Sequence, residues 1–296
     1  MATPVDRHQA RIAVIIPAHN EETALPQVLR ELNASLRATA PAHRFVIAVG
    51  ANACGDATAE VARQAGALVG VTPRAGYGHG CHAAWQALPR GDQPFDALLF
   101  MAGDGANDPA DIPRLLQAYA DGYDCVLGTR TPRPANYACP WDNRRLANLV
   151  LGAYCWMLSG FRQFFTDLGP FRLIDRRLYE RLGMCEFTWG WTIEAQLKAA
   201  LLGASIREVQ VSERPRIGGQ QKVSGVSTRH TLKVGTHIFA AGRRVARAHR
   251  LRRYEVPAMV EDAHPAASVR VLTDANSTDF VNGSQPAPRS QRKKTA

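Results

Sequence analysis

The chain has 296 residues, 46% of them apolar and 21% charged, enough to bury a sizeable core and too many to be collagen-like or wholly disordered. Lysine and arginine number 36 against 26 acids, a formal net charge of +10, and the excess is local. Arg207 to Tyr254 holds twelve Arg and Lys against only Glu208 and Glu213, so the remainder is neutral and the patch calls for an anionic partner.

In chain order, Arg11 to Pro17, Arg44 to Gly50, Ala67 to Val71, Ala97 to Met101 and Asp124 to Gly128 are short apolar runs that read as buried strands. The first four are followed by helical stretches, roughly Glu22 to Ala38, Thr58 to Gln64, Cys81 to Leu88 and Ile112 to Ala120. This alternation predicts an α/β fold with a mainly parallel sheet flanked by helices. Further on come a helix at Leu146 to Leu158, a strand at Phe171 to Ile174, a helix at Thr192 to Leu202 and a strand at Ser205 to Val211. Thr228 to Arg253 reads as a basic amphipathic helix, with Leu232, Ile238, Phe239 and Val245 toward one side and six arginines from Arg243 onward. The expected organisation is a flexible N-terminus (1–10), a catalytic unit (11–227), the basic helix (228–254) and a disordered tail (255–296). Within the catalytic unit, 11–130 is the nucleotide half and 131–227 the acceptor half.

The longest uncharged stretch, Leu146 to Phe161, has 16 residues and includes Asn148 and Ser159. That is short of the roughly 20 apolar residues of a spanning helix. No secretory signal is expected from Met1 to Arg11, and the expected location is cytoplasmic. Six cysteines without C-x-x-C spacing read as reduced thiols. His79, Cys81 and His82 lack a second ligand group at zinc-like spacing.

Polar clusters follow the predicted strands, where such sheets place their ligands. They are Pro17-Ala18-His19-Asn20-Glu21, Asn52 through Thr58, and Gly103-Asp104-Gly105-Ala106-Asn107-Asp108-Pro109. Arg74 to Gly80 carries Gly76, Gly78 and Gly80 at the start of a helix, where backbone amides can approach a phosphate. For Asn20, Asp56 and Asp111 helix capping is the plain alternative.

The order of these pieces resembles the inverting glycosyltransferases of family 2. Pro17 to Glu21 is similar to that family's P-x-x-N-E, Asn52-x-Cys54-x-Asp56-x-Thr58 to its D-N-x-S-x-D-G-T element, and Gly103-Asp104-Gly105 falls at its D-x-D motif. Gly128-Thr129-Arg130, Pro140 to Arg145, Thr166 to Arg172, Gly190 to Ala199 and Arg216 to Lys222 resemble the dolichyl- and polyprenyl-phosphate sugar synthases. The chain departs from the pattern at Ala51, where an aspartate usually contacts the base, at Ala102, the first position of D-x-D, and at Gln221 in place of serine. The resemblance implies a Rossmann-like (GT-A) fold and transfer of a hexose from a nucleotide sugar, UDP-hexose by default, to polyprenyl phosphate. Pro17, Ala18, His19, Asn20, Glu21, Asn52, Gly76, Gly78, Gly103 and Asp104 would then bind the nucleotide.

A leaving diphosphate needs neutralising, and a Mg²⁺ or Mn²⁺ ion on Asp104 would do so. A phosphate monoester acceptor is already anionic at neutral pH and needs positive charge, not a base. Arg130, Arg145, Arg216 and Lys222 are the candidates, with Asp104, Arg130 and Arg216 as the catalytic set. A hydroxyl acceptor would instead need Asp167 or Glu194 as base, although Glu194 with Lys198 at i+4 also reads as a surface ion pair. A nucleotide-binding homologue without turnover is the other alternative. A lipid acceptor fits the basic helix, which suits an anionic membrane surface. No nucleic-acid partner is expected, because no aromatics interleave the arginines.

Overall fold

The computed structural model describes residues 6–90, 94–130, 141–218 and 228–251. Among them, seven strands form one sheet: β1 (Arg11–Ala18), β2 (Arg44–Asn52), β3 (Leu68–Thr72), β4 (Ala97–Phe100), β5 (Cys125–Thr129), β6 (Arg172–Asp175) and β7 (Ile206–Gln210), in the order β3-β2-β1-β4-β6-β5-β7. All pairings are parallel except those of β6, which runs antiparallel between β4 and β5. The expected α/β sheet is therefore present, with one reversed strand near its middle.

The helices are α1 (Leu25–Thr39), α2 (Thr58–Gln64), α3 (Tyr77–Gln86), α4 (Ile112–Ala120), α5 (Trp141–Leu158), α6 (Arg176–Leu182), α7 (Trp191–Leu201) and α8 (Thr228–Arg250). Strand alternation divides the core: Ile12, Val14 and Ile16 pack with Leu29, Leu32 and Leu115, whereas Ala13 and Ile15 pack with Cys81, Trp191 and Ile193. On that second face α3 lies directly on the sheet. A Cβ at Gly50 would fall 1.8 Å from the Gly80 carbonyl oxygen, and one at Gly70 would fall 1.9 Å from that of Ala83. Only glycine permits so close an approach.

Three boundaries differ from expectation for identifiable reasons. α3 begins one turn early, through the glycines, because their burial against the sheet outweighs their poor helix propensity. α6 was not anticipated, yet Asp175 caps it by accepting from the Arg177 and Leu178 amides, and Gly183 ends it at φ 51°. The N-terminal stretch is anchored from residue 6 onward. Arg7 bonds Asp124 at 2.8 Å and the Tyr123 carbonyl at 3.1 Å, and lies over the Tyr119 ring. The tail 255–296 lies outside the described residues.

Candidate active site

Strand order reverses at β1, whose chain proceeds outward to β2 and β3 while β4 lies on its other side. The carboxyl ends of β1, β2 and β4 therefore open a common crevice, the position at which open α/β sheets bind ligands. The three predicted polar clusters all lie there.

Between β1 and β2 the loops are stitched together. Asn52 is buried, donates to the Ala18 carbonyl at 2.7 Å and accepts from the Gly76 amide at 3.1 Å. His19 donates through Nδ1 to the Asn52 carbonyl at 2.7 Å. Asn20, at φ 51°, accepts from the Gly55 amide, and the Glu21 amide donates to Thr58 Oγ1. Ala53 sits at φ 48°, where a residue with a Cβ is strained. Asn52 thus acts here as the clamp that holds the loop ends, a role its motif position did not reveal.

The glycine stretch is built differently from a phosphate cradle. The Gly76 amide serves Asn52 and the His79 amide donates to the Phe187 carbonyl at 2.9 Å. The Gly76 amide is thus engaged by Asn52 in this arrangement. A Cβ at Gly76 would meet the Phe187 carbonyl at 2.4 Å, and one at Gly78 the Glu186 carbonyl at 2.5 Å. Both admit the 186–188 segment against the start of α3. Cys81 is fully buried, and burial pushes its thiol pKa well up, as befits a core residue and not a metal ligand.

The Asp104 loop is paired with the chain following β7. The Arg214 amide donates to the Ala106 carbonyl at 2.8 Å and the Ile217 amide to the Asp104 carbonyl at 3.0 Å, while Asn107 and Glu213 form a bridge. Gly105, at φ 81°, leaves room for Ile217 above it. This zipper delivers Arg216 to the crevice. Its Nη1 bonds Asp104 Oδ2 at 3.1 Å, its Nη2 bonds Glu21 Oε2, and its Nε donates to the Gly218 carbonyl. Gly103 packs against Pro17 and Ala18, completing the contact of the β1 and β4 ends. Arg216, expected at an acceptor phosphate, is placed between the Asp104 and Glu21 carboxylates.

Arg130 occupies a second cluster. Its Nε and Nη2 bond Asp167 at 2.6 and 2.7 Å, and its Nη1 bonds Glu213 at 3.0 Å. Burial works against its charge, and the two carboxylates outweigh that, holding its pKa above arginine's already high value. Asp167 also accepts from the Arg130 amide and from Asn148. The predicted phosphate ligand is committed to carboxylates, and the predicted base Asp167 is committed to a guanidinium.

Glu194, predicted as base or surface pair, is neither. It is fully buried, pairs with Lys198 at 2.7 Å and accepts from the Cys185 and Glu186 amides. Lys198 adds the Gly183 carbonyl at 2.6 Å. The pair anchors the 183–187 segment that covers the start of α3. The Arg145 side chain and Lys222 lie outside the described residues.

Away from the crevice, α5 packs on α8 through Tyr154, whose ring meets Phe239 and whose hydroxyl donates to the Phe239 carbonyl. Leu149, Val150, Trp156 and Met157 of α5 are exposed, as are Phe161 (64%) and Phe164. Arg243, Arg244, Arg247 and Arg250 line a shallow groove with Leu158 on the neighbouring face of α8. Of the apolar side expected for α8, Val245 is buried and Leu232 is 70% exposed. No described helix is long and apolar enough to cross a membrane.

Residues 13–183 match the family model described as glycosyl transferase family 2. An uncharacterized glycosyltransferase of Mycobacterium bovis is 35% identical over 215 residues, covering 72% of this chain and 90% of its own. An undecaprenyl-phosphate 4-deoxy-4-formamido-L-arabinose transferase of Pseudomonas paraeruginosa is 33% identical over 169 residues, 53% of this chain and 48% of its own. Glucosyl-3-phosphoglycerate synthase from Mycobacterium tuberculosis, in a crystal structure with Mn²⁺, UDP-glucose and phosphoglyceric acid, shares the fold at TM-score 0.57 and 18% identity, over 80% of each chain. Mannosyl-3-phosphoglycerate synthase from Rubrobacter xylanophilus does so at TM-score 0.58 and 17% identity, over 89% of this chain and 86% of that one.

Proposed function

The chain belongs to glycosyl transferase family 2, and we propose that it transfers a hexose from a nucleotide sugar to polyprenyl phosphate, with inversion, at the cytoplasmic surface of a membrane. The single observation that carries the acceptor is the surface where α5 meets α8. Exposed Trp156, Met157, Phe161 and Phe164 give an apolar face, and the exposed arginines of α8 stand beside it. That pairing of apolar area with cationic side chains suits an interfacial helix on anionic lipid, which is where a polyprenyl chain is met. The undecaprenyl-phosphate transferase among the relatives points the same way.

The donor belongs in the crevice at the ends of β1, β2 and β4. Pro17 to Asn20 and Asn52 shape its floor, and Arg216 brings positive charge to the side on which Asp104 opens. An attacking phosphate oxygen needs no base, consistent with Asp167 and Glu194 both being committed to cations. Asp104, which meets the Arg216 guanidinium beside Glu21 through a separate nitrogen, is the carboxylate that would hold a divalent ion. Mg²⁺ characteristically takes one or two protein carboxylates and completes its shell with phosphates and water. When bound, such an ion supplies charge against that developing on the leaving diphosphate.

The test is transfer by the full chain from a panel of labelled UDP- and GDP-hexoses, in the presence of vesicles carrying undecaprenyl phosphate. Label passing into the lipid extract, and falling by about 10²–10³ in Asp104→Ala, is the expected result. Transfer only to water-soluble acceptors, or none with any donor, would overturn the reading.

A further inference from the structure

The four arginines that line the α8 groove are not alike. Among the described residues, Arg243, Arg247 and Arg250 pair with no carboxylate, whereas Arg244 donates through Nε to Glu186 Oε1 at 2.7 Å and brings Nη2 to the same oxygen at 2.6 Å. The Arg244 side chain is 59% exposed and that of Glu186 13%. So open a pair contributes little to stability, because water screens it and a long side chain loses freedom in making it. Its position is what sets it apart. Arg244 reaches from the face offered to lipid to a segment that touches the donor crevice.

That segment, 183–190, is fixed on its other sides. Toward α7, the buried Glu194 carboxylate accepts from the Cys185 and Glu186 amides at 2.9 and 2.7 Å. Toward α3, the Phe187 carbonyl accepts from the His79 amide at 2.9 Å, and the Phe187 ring stacks on that of His79 with centroids 4.8 Å apart. Gly76, packed against Phe187 and Thr188, gives its amide to Asn52, which in turn holds the Ala18 carbonyl. Toward α8, a Cβ at Gly190 would fall 2.7 Å from that of Ala241 and 2.8 Å from Glu186 Oε2. The Glu186 side chain is therefore enclosed between Gly190 and Arg244, and a continuous line of contacts runs from α8 to the clamp between β1 and β2.

We propose that Glu186 is a positioning residue of the donor site with Arg244 as its partner, so that α8 seats the floor of the crevice through this one arginine and faces lipid through Arg243, Arg247 and Arg250. This rests on reading the crevice as the donor site and the α8 face as the lipid-facing one. Without Arg244 the Glu186 carboxylate is left nearly closed in and close to Glu194, and turning out to water relieves it. Because Glu194 pins the amides of residues 185 and 186, the displacement falls on the Phe187 carbonyl, and with it on His79, Gly76 and Asn52. A misplaced floor weakens donor binding in the ground and transition states alike.

The experiment compares Arg244→Ala with Arg247→Ala, exposed arginines on the same helix whose loss changes the charge equally. Amide hydrogen exchange on the full chain without nucleotide reads the segment, calorimetry with UDP and GDP reads the crevice, and cosedimentation with phosphatidylglycerol vesicles reads the lipid face. Arg244→Ala is expected to speed exchange at the Gly76 and His79 amides about tenfold and to weaken nucleotide about tenfold, with vesicle association changed by no more than about twofold. Arg247→Ala should do the reverse, weakening vesicle association about fivefold and leaving exchange and nucleotide binding as in wild type. Glu186→Ala should reproduce Arg244→Ala, the double variant should add nothing to either, and Arg244→Lys, which keeps the charge, should recover most of the loss. In transfer assays the loss should fall on the donor KM with kcat unchanged, whereas a merely destabilised protein would lose kcat. Wild-type exchange at Gly76 and His79 in Arg244→Ala, or an equal loss of nucleotide in Arg247→Ala, would overturn the assignment. Wild-type protein that binds neither nucleotide sinks the donor reading and the role of Glu186 with it, and nucleotide binding that ignores Arg244→Ala sinks the positioning role alone.

Discussion

Two clusters in this molecule have the same composition, one arginine between two carboxylates, and opposite construction. Arg130 grips Asp167 through two nitrogens, and Asp167 is held further by the Arg130 amide and Asn148. Arg216 touches Asp104 and Glu21 through one nitrogen each. The first is over-determined and nearly dry, with Asp167 only 1% exposed, and it ties the end of β5 to the 166–172 segment and to Glu213. The second sits where the β1 and β4 loops meet the chain that follows β7, and its Asp104 carboxylate is 22% exposed. A bidentate, buried pair is a fixture, and a bridging, partly exposed one is exchangeable. Identical residue types therefore build a two-nitrogen grip in one place and a one-nitrogen bridge in the other.

The sharpest way to break this comparison is to remove a carboxylate from each. Asp167→Ala leaves the nearly buried Arg130 guanidinium with Glu213 but with Nε and Nη2 unmet, and should cost about 3 kcal/mol of stability, read as a lower midpoint in urea. Asp104→Ala removes the more exposed carboxylate and leaves Arg216 paired with Glu21, and should cost about 1 kcal/mol while abolishing transfer. Equal destabilisation by both would erase the distinction.

That distinction was not legible in the sequence, although most of the fold was. Strands such as Ile12 to Ile16 announce themselves because burial on both faces demands unbroken apolar runs, and the crevice follows from where those runs end. The arginines carried no such signal. Arg130 and Arg216 both follow strands and both match phosphate-binding positions, and only the tertiary pairing separates them. Glu194 and Lys198 at i and i+4 looked like a surface pair, because spacing says nothing of burial. The glycines at 76, 78 and 80 admit the 186–188 segment and the end of β1, a close packing that their spacing does not announce. α6 escapes the sequence reading because it is only seven residues long, although Asp175 and Gly183 bracket it as an N-cap and a C-terminal glycine do.

A smaller effect sharpens the exchangeable side of the comparison. Gly105 sits at φ 81° beneath Ile217, at the centre of the zipper that brings Arg216 to Asp104. Gly105→Ala should cost about 1–2 kcal/mol through backbone strain and the clash with Ile217. Transfer should fall further than stability does, because the lesion displaces Arg216 and leaves the Arg130 cluster intact. A variant that loses stability without losing transfer would show that the zipper has no part in positioning the site.

The smallest effect concerns a third pairing, intermediate between the two, in which Arg7 bonds Asp124 at 2.8 Å with the carboxylate about one-third exposed. Burial works to raise the Asp124 pKa, but the bonds from Arg7 and Ser205 outweigh it and the value falls below the ordinary one. A carboxylate with a depressed folded pKa contributes stability above its unfolded pKa of about 3.9, and loses it as pH falls through the folded value. Asp124→Asn should therefore melt lower than wild type at pH 6, with the gap narrowing as pH falls below about 4, where wild type loses the same charge by protonation. Salt should narrow the gap at pH 6 as well, since this pair is open enough to be screened. A gap that persists unchanged at low pH and high salt would make the Arg7 contact one of packing over Tyr119, and would place it with the fixed cluster.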